Sequence, residues 1–253
     1  MKKIIIATVA LLLFVSLVGC QANENTETLT VLTSSGYEPY EMVDTNGDLT
    51  GFDIELMEAL ALEVGVEIEW LDVDFGGIIA SLESGQYEVA IAGISTTLLR
   101  AESVDFSDVY YNSEDGVQNY LIFEDGSSYS SLADLDGLVV GAQLGTIQAE
   151  LLVEYAEQYN YTVELRNTNS VVIEEIKLGT IDAMLVENLV ADSILEVNTD
   201  FAKEKLTDSL DSLYGNAIAF SMGSEWVDVF NTALATLKEN GTLATLIEKW
   251  FGE

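Results

Sequence analysis

The stretch from residue 138 to residue 166, LVVGAQLGTIQAELLVEYAEQYNYTVELR, decides the fold class. Its first apolar run, Val139 to Ala142, predicts a buried strand, and Thr146 to Tyr159 has the apolar spacing of a helix. Thr162 to Arg166 predicts the next strand. A strand, a helix and a second strand in this order form a β-α-β unit, whose two strands lie parallel in one sheet.

The same rhythm continues on the carboxyl-terminal side and is also found earlier in the chain. After Arg166 we predict a helix, a strand and a helix, over Val171–Leu178, Ala183–Val186 and Leu189–Val197. The first half predicts strands over Leu29–Thr33, Glu67–Asp72 and Val89–Ala92, and helices over Asp53–Val64, with Asp53 as N-cap, and Ile78–Leu82. Two β-α-β-α-β units predict two α/β lobes, each with a largely parallel sheet.

The segments around the second unit predict how the lobes are joined. Gly116–Phe123 and Tyr214–Met222 flank this unit, and the chain then ends in two helices, Trp226–Lys238 and Leu243–Trp250. We therefore expect one lobe from residues 28–115 and 217–253, interrupted by a second lobe from residues 116–216. The two crossing strands would form a hinge, and a ligand would bind in the cleft at the carboxyl ends of the parallel strands.

Composition excludes several classes of function. The 253 residues contain 9 Lys and Arg against 44 Asp and Glu, with no His, for a net charge of −35. Such an acidic protein is repelled by nucleic acid and by anionic membrane surfaces. The absence of His removes the commonest general base and metal ligand, and one Cys allows neither an internal disulfide nor a Cys-rich metal site. We predict no cofactor and no metal.

The amino terminus predicts export. Lys2 and Lys3 precede an apolar run from Ile4 to Val18, which is short for a membrane span and typical of a signal peptide. The last residues of this segment, Leu-Val-Gly-Cys at positions 17–20, resemble the lipobox of bacterial lipoproteins. This resemblance implies a signal peptide over residues 1–20, lipid on Cys20 and an extracytoplasmic protein that meets the membrane only through its anchor. The alternative is an ordinary secretory signal with an incidental Cys.

Two polar stretches have a simpler interpretation. Residues 21–27, QANENTE, lack apolar periodicity and predict a flexible tether. The run Asp44-Thr45-Asn46-Gly47-Asp48 has the spacing that opens a calcium loop, but the distal Gly and Glu of an EF-hand are missing. A hairpin turn is therefore the better prediction.

Arg100 is the strongest candidate binding residue, because it is the one cation between Cys20 and Leu165. It follows a predicted buried strand and a small polar run, Ala-Gly-Ile-Ser-Thr-Thr, at positions 92–97. Backbone donors, hydroxyl groups and a planar guanidinium together suit a carboxylate. The competing interpretation is an ion pair of Arg100 with Glu102 or Asp105.

Three further features lie near predicted strand ends. Tyr37 and Phe75 could form the walls of a small-ligand site, although aromatic residues more often pack in cores. The turn at Gly145 to Gln148 begins a helix, where free N–H groups favour an anion or a carbonyl. Glu187 ends a predicted strand, where its carboxylate could meet an ammonium group, but a solvated surface acid is the competing interpretation.

Taken in order, the motifs of this chain resemble the family 3 extracellular solute-binding proteins, which serve amino-acid ABC importers. The matching pieces begin with Tyr37-Glu38-Pro39-Tyr40, Gly51-Phe52-Asp53-Ile54-Glu55-Leu56 and the run at positions 92–97 with Arg100. The others are Asp105-Phe106-Ser107-Asp108 with Tyr110-Tyr111, residues 143–148, residues 178–183 and the ending at residues 240–252. The resemblance implies a two-lobed α/β fold of the type II periplasmic-binding-protein class.

The resemblance also implies a set of ligand contacts. These would come from Tyr37, Phe75, Gly93, Ser95, Arg100, Thr146, Ile147, Gln148 and Glu187. Arg100 would clamp the α-carboxylate, helped by Ser95 and the Thr146–Ile147 turn. The α-amino group would meet the Gly93 carbonyl, the Ser95 hydroxyl and Glu187.

The ligand side chain would lie between Tyr37 and Phe75, with Gln148 near it. Two positions depart from the family pattern. Many members have Asp where this chain has Ser34, and most have Asp where it has Glu187. The first departure leaves the choice between a basic and a neutral polar amino acid open.

The function that follows is capture of a polar amino acid by the substrate-binding subunit of an ABC importer, a monomer that acts with a permease and its ATPase. No covalent chemistry is implied. An alternative on the same fold is an enzyme similar to cyclohexadienyl dehydratase, with Glu187 as an acid–base group. A sensory input module is the third interpretation.

Overall fold

The computed structural model describes residues 27–112, 117–207 and 215–252. The predicted signal peptide, the lipobox with Cys20, and the tether up to Thr26 lie outside the described residues. So do the first residue of the predicted segment Gly116–Phe123 and the first residue of Tyr214–Met222. Within the described ranges, none of the helices has both the length and the apolar character needed to cross a membrane.

The first sheet contains five strands taken from both ends of the chain. They are β1 Thr28–Thr33, β4 Glu67–Asp72, β5 Val89–Ala90, β6 Val104–Phe106 and β12 Ala219–Ser221. Their order is β4-β1-β5-β12-β6, with β1 parallel to β4 and β5, and β12 antiparallel to β5 and β6. A separate hairpin pairs β2, Met42–Val43, with β3, Leu49–Thr50. This hairpin confirms the turn predicted at residues 44–48.

The second sheet repeats this arrangement. Its strands are β7 Asn119–Glu124, β8 Val139–Gln143, β9 Thr162–Arg166, β10 Ala183–Glu187 and β11 Phe201–Lys205. The order β11-β7-β10-β8-β9 has three parallel neighbours, β10, β8 and β9, while β7 runs antiparallel to β10 and β11. Each sheet is therefore largely parallel, as predicted. The antiparallel strand, β12 in the first sheet and β7 in the second, overlaps one of the two predicted crossing segments. We call the two sheets, with their helices, lobe 1 and lobe 2.

Within residues 27–112, 117–207 and 215–252, seven α-helices cover the sheets. They are α1 Phe52–Val64, α2 Ile78–Glu83, α3 Ile147–Tyr159, α4 Asn169–Lys177, α5 Asn188–Val197, α6 Trp226–Glu239 and α7 Thr242–Phe251. All seven predicted helices are confirmed to within about two residues at each end, which is the usual scatter of helix boundaries. The start of α3 has a clear cause, because the Thr146 hydroxyl accepts a hydrogen bond from the Ala149 N–H at 3.1 Å.

One prediction in lobe 1 is wrong in detail, and one edge strand in each lobe was missed. Asp53 is not the N-cap of α1, which begins at Phe52 after Gly51, and the Asp53 side chain is buried. Edge strands β6 and β11 were not predicted, and the sequence of β11, FAKEK, shows why. Edge strands often carry charged side chains, which protect their open edge from aggregation and at the same time remove the apolar signal of a strand.

Gly51 holds the entry to α1 against the preceding loop. Its φ of 134° lies in a region that side chains rarely adopt, and an added Cβ would lie 2.2 Å from the Tyr40 carbonyl oxygen. We expect Gly51→Ala to lower the free energy of unfolding by about 2–4 kcal/mol, measured by urea denaturation. Gly47→Ala is the matched control, because Gly47 has a φ of 93° but nothing within 4 Å of an added Cβ. Equal losses for both variants would contradict the close-contact argument.

Candidate functional site

Arg100 joins the two lobes at the cleft between the sheets. Its Nη1 donates to the Ser95 carbonyl oxygen at 2.9 Å, and its Nη2 donates to the Gly145 carbonyl oxygen at 2.9 Å. Ser95 follows β5 of lobe 1, whereas Gly145 follows β8 of lobe 2. The carboxyl ends of these parallel strands therefore face one another across the cleft, which is where open α/β sheets bind ligands.

The Arg100 guanidinium is enclosed but keeps hydrogen-bonding capacity. The residue is 7% exposed, and its Cζ lies 5.6 Å from the centre of the Phe75 ring. Burial lowers the pKa of Arg100, while Glu150 and Tyr37 act in the opposite direction, and a guanidinium remains charged in proteins. In the part of the chain that the structure describes, Arg100 forms no ion pair with Glu102 or Asp105, so the competing interpretation is wrong. Of its five N–H donors, three are left by these two bonds.

Tyr37 and Gly93 form the floor of the cleft on the lobe 1 side. The Tyr37 ring stacks on the Tyr40 ring with centroids 5.7 Å apart. Gly93 has a φ of 58°, and an added Cβ would lie 3.2 Å from Cε1 of Tyr37, so this position favours glycine for both reasons. The Gly93 carbonyl oxygen, predicted to accept from an ammonium group, already accepts from Asn216 Nδ2 at 2.6 Å. A carbonyl has two lone pairs, so one remains for a ligand.

The start of α3 provides the lobe 2 side of the cleft. The Thr146 hydroxyl donates to the Gln143 carbonyl oxygen at 2.7 Å while it caps the helix, so its one O–H donor is already used. Gln148 is buried, and its Nε2 donates to Asn119 Oδ1 at 3.0 Å. What the turn offers a ligand is therefore the set of backbone N–H groups at the start of the helix, beginning at Ile147.

Three carboxyl groups are buried beside this site, and we call Glu41, Asp53 and Glu187 the carboxylate cluster. Their residues are 0%, 0% and 3% exposed, respectively. Within the described ranges, four of their oxygens have no hydrogen-bond partner, namely both oxygens of Glu41, Oδ1 of Asp53 and Oε1 of Glu187. Burying a carboxylate without a partner is unfavourable, so the cluster requires a cation or a proton.

The raised pKa values of the three carboxyl groups also indicate that the cluster requires a cation or a proton. Burial raises the pKa of Glu187 to about 7, with a further increase from Asp53 and a decrease from the Tyr40 hydroxyl. Burial also raises the pKa of Asp53 to about 7, although its Oδ2 accepts from the Gly93 N–H at 2.6 Å and the Tyr110 hydroxyl at 2.8 Å. The pKa of Glu41 is raised well above its usual range by burial and then by Asp53 and Glu187. Each shift disfavours the charged form as long as no cation is present.

The nine predicted site residues fall into connected groups. Arg100 contacts Phe75 and Ser95, and it reaches the turn that contains Thr146, Ile147 and Gln148. Tyr37 lies against Gly93, and its pKa is raised by burial and then by Glu187 and Glu41.

Sequence reasoning missed Glu41 and Asp53 as site residues. Glu41 directly follows the aromatic motif that ends at Tyr40, and Asp53 lies on the apolar face of α1 among buried residues. A polar residue inside an otherwise buried pattern was the available signal.

Glycines let the lobes approach closely at the rim of the cleft. A Cβ added to Gly76 of lobe 1 would lie 3.0 Å from Cγ of Leu144 in lobe 2. A Cβ added to Gly145 would lie 2.7 Å from Cα of Gly76. Asn167 Nδ2 also donates to Asp74 Oδ2 at 2.8 Å across the same rim. The lobes are therefore in direct contact at this rim.

Comparison with known proteins agrees with this architecture. A model of the bacterial extracellular solute-binding proteins, family 3, matches residues 29–253. The arginine-binding extracellular protein ArtP of Bacillus subtilis (strain 168) is 37% identical over 256 residues, covering 99% of this chain and 98% of ArtP.

Solved structures show the same fold. An ancestral arginine-binding protein bound to arginine has a TM-score of 0.82 and 34% identity, covering 88% of this chain and 98% of that one. The ancestral arginine-binding protein bound to glutamine has a TM-score of 0.81 and 34% identity, covering 89% of this chain and 98% of that one. The predicted type II periplasmic-binding-protein fold is confirmed, and the chain belongs to the bacterial extracellular solute-binding proteins of family 3.

Proposed function

We propose that this protein is the extracytoplasmic substrate-binding subunit of an amino-acid ABC importer and that its ligand is a cationic amino acid such as arginine. The observation that carries the proposal is the distribution of charge in the cleft. Arg100 is buried against the Ser95 carbonyl, and the carboxylate cluster, which has four unpartnered oxygens among the described residues, is connected to the same loop by the Gly93 N–H that donates to Asp53. An amino acid with a basic side chain has one anionic and two cationic groups, which complement this arrangement.

The charge argument discriminates between the two ligand classes that the sequence left open. The α-carboxylate would bind Arg100, and the α-ammonium would bind Glu187 and the Gly93 carbonyl. A guanidinium or ammonium group on the side chain would then neutralise Glu41. Neutral glutamine supplies no side-chain cation, so Glu41 would stay protonated, whereas a cationic side chain could form a buried charge pair with the Glu41 carboxylate.

The relatives support an amino-acid ligand but not a single one. ArtP is named for arginine, whereas the ancestral protein is found with arginine in one structure and with glutamine in another. Glutamine is therefore the competing ligand to test.

The proposed mechanism is capture followed by closure. Lobe 1 would comprise residues 28–115 and 217–253, and lobe 2 residues 116–216, with the two crossing segments as the hinge. The closed pair of lobes would then dock on a membrane permease that is driven by its ATPase. Lipid on Cys20 would hold the monomeric protein at the membrane surface.

A thermal-shift screen of the twenty amino acids tests the ligand class. A ligand at a hundred times its Kd stabilises the folded state by about 2.7 kcal/mol, or roughly 5–10 °C in Tm for a protein of this size. We expect arginine to give the largest shift at a fixed concentration, with a smaller one for glutamine. A larger shift with glutamine would contradict the cationic assignment, and no shift with any amino acid would contradict the function.

Closure can be tested separately from ligand contact. We expect Gly76→Val to weaken amino-acid binding about 5- to 100-fold, because the added side chain overpacks the contact with Leu144 by roughly 1–3 kcal/mol. Gly77→Val is the matched control, since an added Cβ at Gly77 has nothing within 4 Å. Isothermal titration calorimetry of both variants gives the affinities. Equal affinities would mean that this rim contact has no role in the bound state.

We also propose that the protein binds its ligand without turning it over. One observation favours the dehydratase alternative, namely that burial raises the pKa of Glu187 to about 7, a value that suits a general acid or base at neutral pH. Assays of prephenate and arogenate decide the point. Turnover that disappears in Glu187→Gln would overturn the binding-only assignment.

A further inference from the structure

The carboxylate cluster is assembled from both lobes. Glu41 and Asp53 belong to lobe 1, whereas Glu187 ends β10 of lobe 2. The positive charge nearest to them does not compensate, because Arg100 donates its described hydrogen bonds to two backbone carbonyl groups. Across the described residues, none of the three carboxylates has a Lys or Arg nitrogen within the 4 Å of an ion pair. Bringing the lobes together therefore places Glu187 beside like charges.

We propose that the carboxylate cluster is an electrostatic lock, which keeps the ligand-free protein open and permits closure when a cation enters the cleft. When the lobes separate, Glu187 is hydrated and moves away from Asp53 and Glu41. When they close without a ligand, it becomes buried with Oε1 unpartnered. The lock rests on the proposed function in one respect, namely that the cationic groups of an amino acid supply the missing positive charge.

The other charged groups around the cluster strengthen the lock. Glu38 and Asp72 act on Glu41 from its own lobe, and both raise its pKa further. The hydroxyl groups of Tyr37, Tyr40 and Tyr110 also face this group of acids, and burial raises their own pKa values, so they stay neutral. Arg100 lowers the pKa of Tyr37, but burial, Glu187 and Glu41 together outweigh it. The surroundings of the cluster thus add negative charge.

The lock has a defined pH dependence. In the closed arrangement, burial raises the pKa of Glu187 from 4.5 to about 7, whereas a hydrated Glu187 in the open protein has an ordinary pKa. The closed empty protein therefore binds more protons than the open one, and closure becomes easier as the pH falls from about 7 towards about 4.5. The equilibrium constant for closure should rise on the order of a hundredfold across this window. Above about pH 7, Glu187 is ionised and closure of the empty protein is least favourable.

The experiment measures the distance between the lobes in the absence of ligand. Spin labels are attached at Leu62→Cys in lobe 1 and Leu178→Cys in lobe 2, which are 84% and 76% exposed, in the full chain with Cys20→Ser. At pH 8 we expect the open distance for the labelled parent. We expect Glu187→Gln, which removes the charge but keeps the shape, to shift towards the shorter distance of the arginine-saturated parent. Glu204→Gln on the exposed edge strand is the matched control for loss of one surface charge, and it should not shift.

Each of these distance measurements can contradict the proposed lock. The lock is overturned if Glu187→Gln stays as open as the parent, or if the parent is already closed without ligand at pH 8. Lowering the pH of the parent to about 5.5 is an independent arm that requires no substitution, and absence of closure there also counts against the lock. A failure of the proposed function is distinguishable, because it appears as absence of arginine binding in calorimetry, whereas the lock is measured without ligand.

Discussion

Arg100→Ala is expected to weaken amino-acid binding about a hundredfold or more. The guanidinium is 7% exposed and is fixed by the Ser95 and Gly145 carbonyl groups, so its free N–H donors are pre-oriented for a carboxylate. Its removal would leave a partly desolvated ligand carboxylate unpaired in an acidic cleft, at a cost of about 3–5 kcal/mol. Since about 1.4 kcal/mol corresponds to a tenfold change, this cost sets the expected loss of affinity.

Arg100→Lys tests whether the shape of the group matters as well as its charge. A lysine keeps the positive charge but cannot bond two carboxylate oxygens and two carbonyl groups in one plane, so binding should also be poor. Arg166→Ala is the matched control, because Arg166 is paired with Glu164 and Glu175 at a partly exposed site on lobe 2. A pair of that kind contributes about 0–1 kcal/mol, and ligand affinity should barely change.

Calorimetric titration with the amino acid that gives the largest thermal shift measures all three variants, with circular dichroism to confirm folding. If folded Arg100→Ala binds within about threefold of wild type, Arg100 does not hold the carboxylate.

Glu41→Gln is expected to change ligand preference rather than binding in general. Both Glu41 oxygens are buried without a partner in the described residues, so a ligand guanidinium would find its counter-charge there. Truncating one partner of a buried charge pair costs about 2–5 kcal/mol, which predicts arginine binding weaker by about 30-fold or more. Glutamine, which has no side-chain charge, should lose less than about threefold.

Calorimetric titration of wild type and variants with arginine and with glutamine gives the loss of affinity for each ligand. The difference between these two losses tests the prediction. Glu38→Gln is the matched control, since Glu38 lies on the same loop but is only partly buried, and both affinities should stay close to those of wild type. An equal loss for arginine and glutamine in Glu41→Gln would show that Glu41 supports the loop rather than reading the ligand side chain. The backbone bonds of Glu41, whose carbonyl accepts from the N–H groups of Gly36 and Tyr37, are unaffected by the substitution.

The fold could be predicted where apolar periodicity is strong. Helix α3 and strand β9 are found at or within one residue of their predicted bounds, because the apolar positions and the cap at Thr146 act locally. Strand β6, of three residues, and strand β11, with its charged sequence, had no such signal. Their strand character comes from pairing with β12 and β7, which are distant in sequence.

The site could be predicted in part, because positively charged residues are scarce in this chain. Arg100 is conspicuous because cations are rare in this chain, so its position between a buried strand and a polar run could be interpreted. Glu41 and Asp53 are two acids among 44, and nothing in their residue type separates them from a solvated surface acid. Their burial follows from the packing of α1 and of the loop at Tyr40, which only the three-dimensional arrangement defines.

The place of β12 in the first sheet has a consequence for the order of folding. This strand lies between β5 and β6 and pairs with both, so the sheet does not connect these two strands until residues 219–221 are inserted. Lobe 2 contains only strands from one continuous stretch of chain and can complete its sheet as soon as β11 has emerged from an export channel. Lobe 1 must wait with the position between β5 and β6 empty until β12 follows. A chain delivered amino terminus first would therefore finish its second half before its first, and the half-built sheet would be the species most exposed to proteases and to aggregation during export.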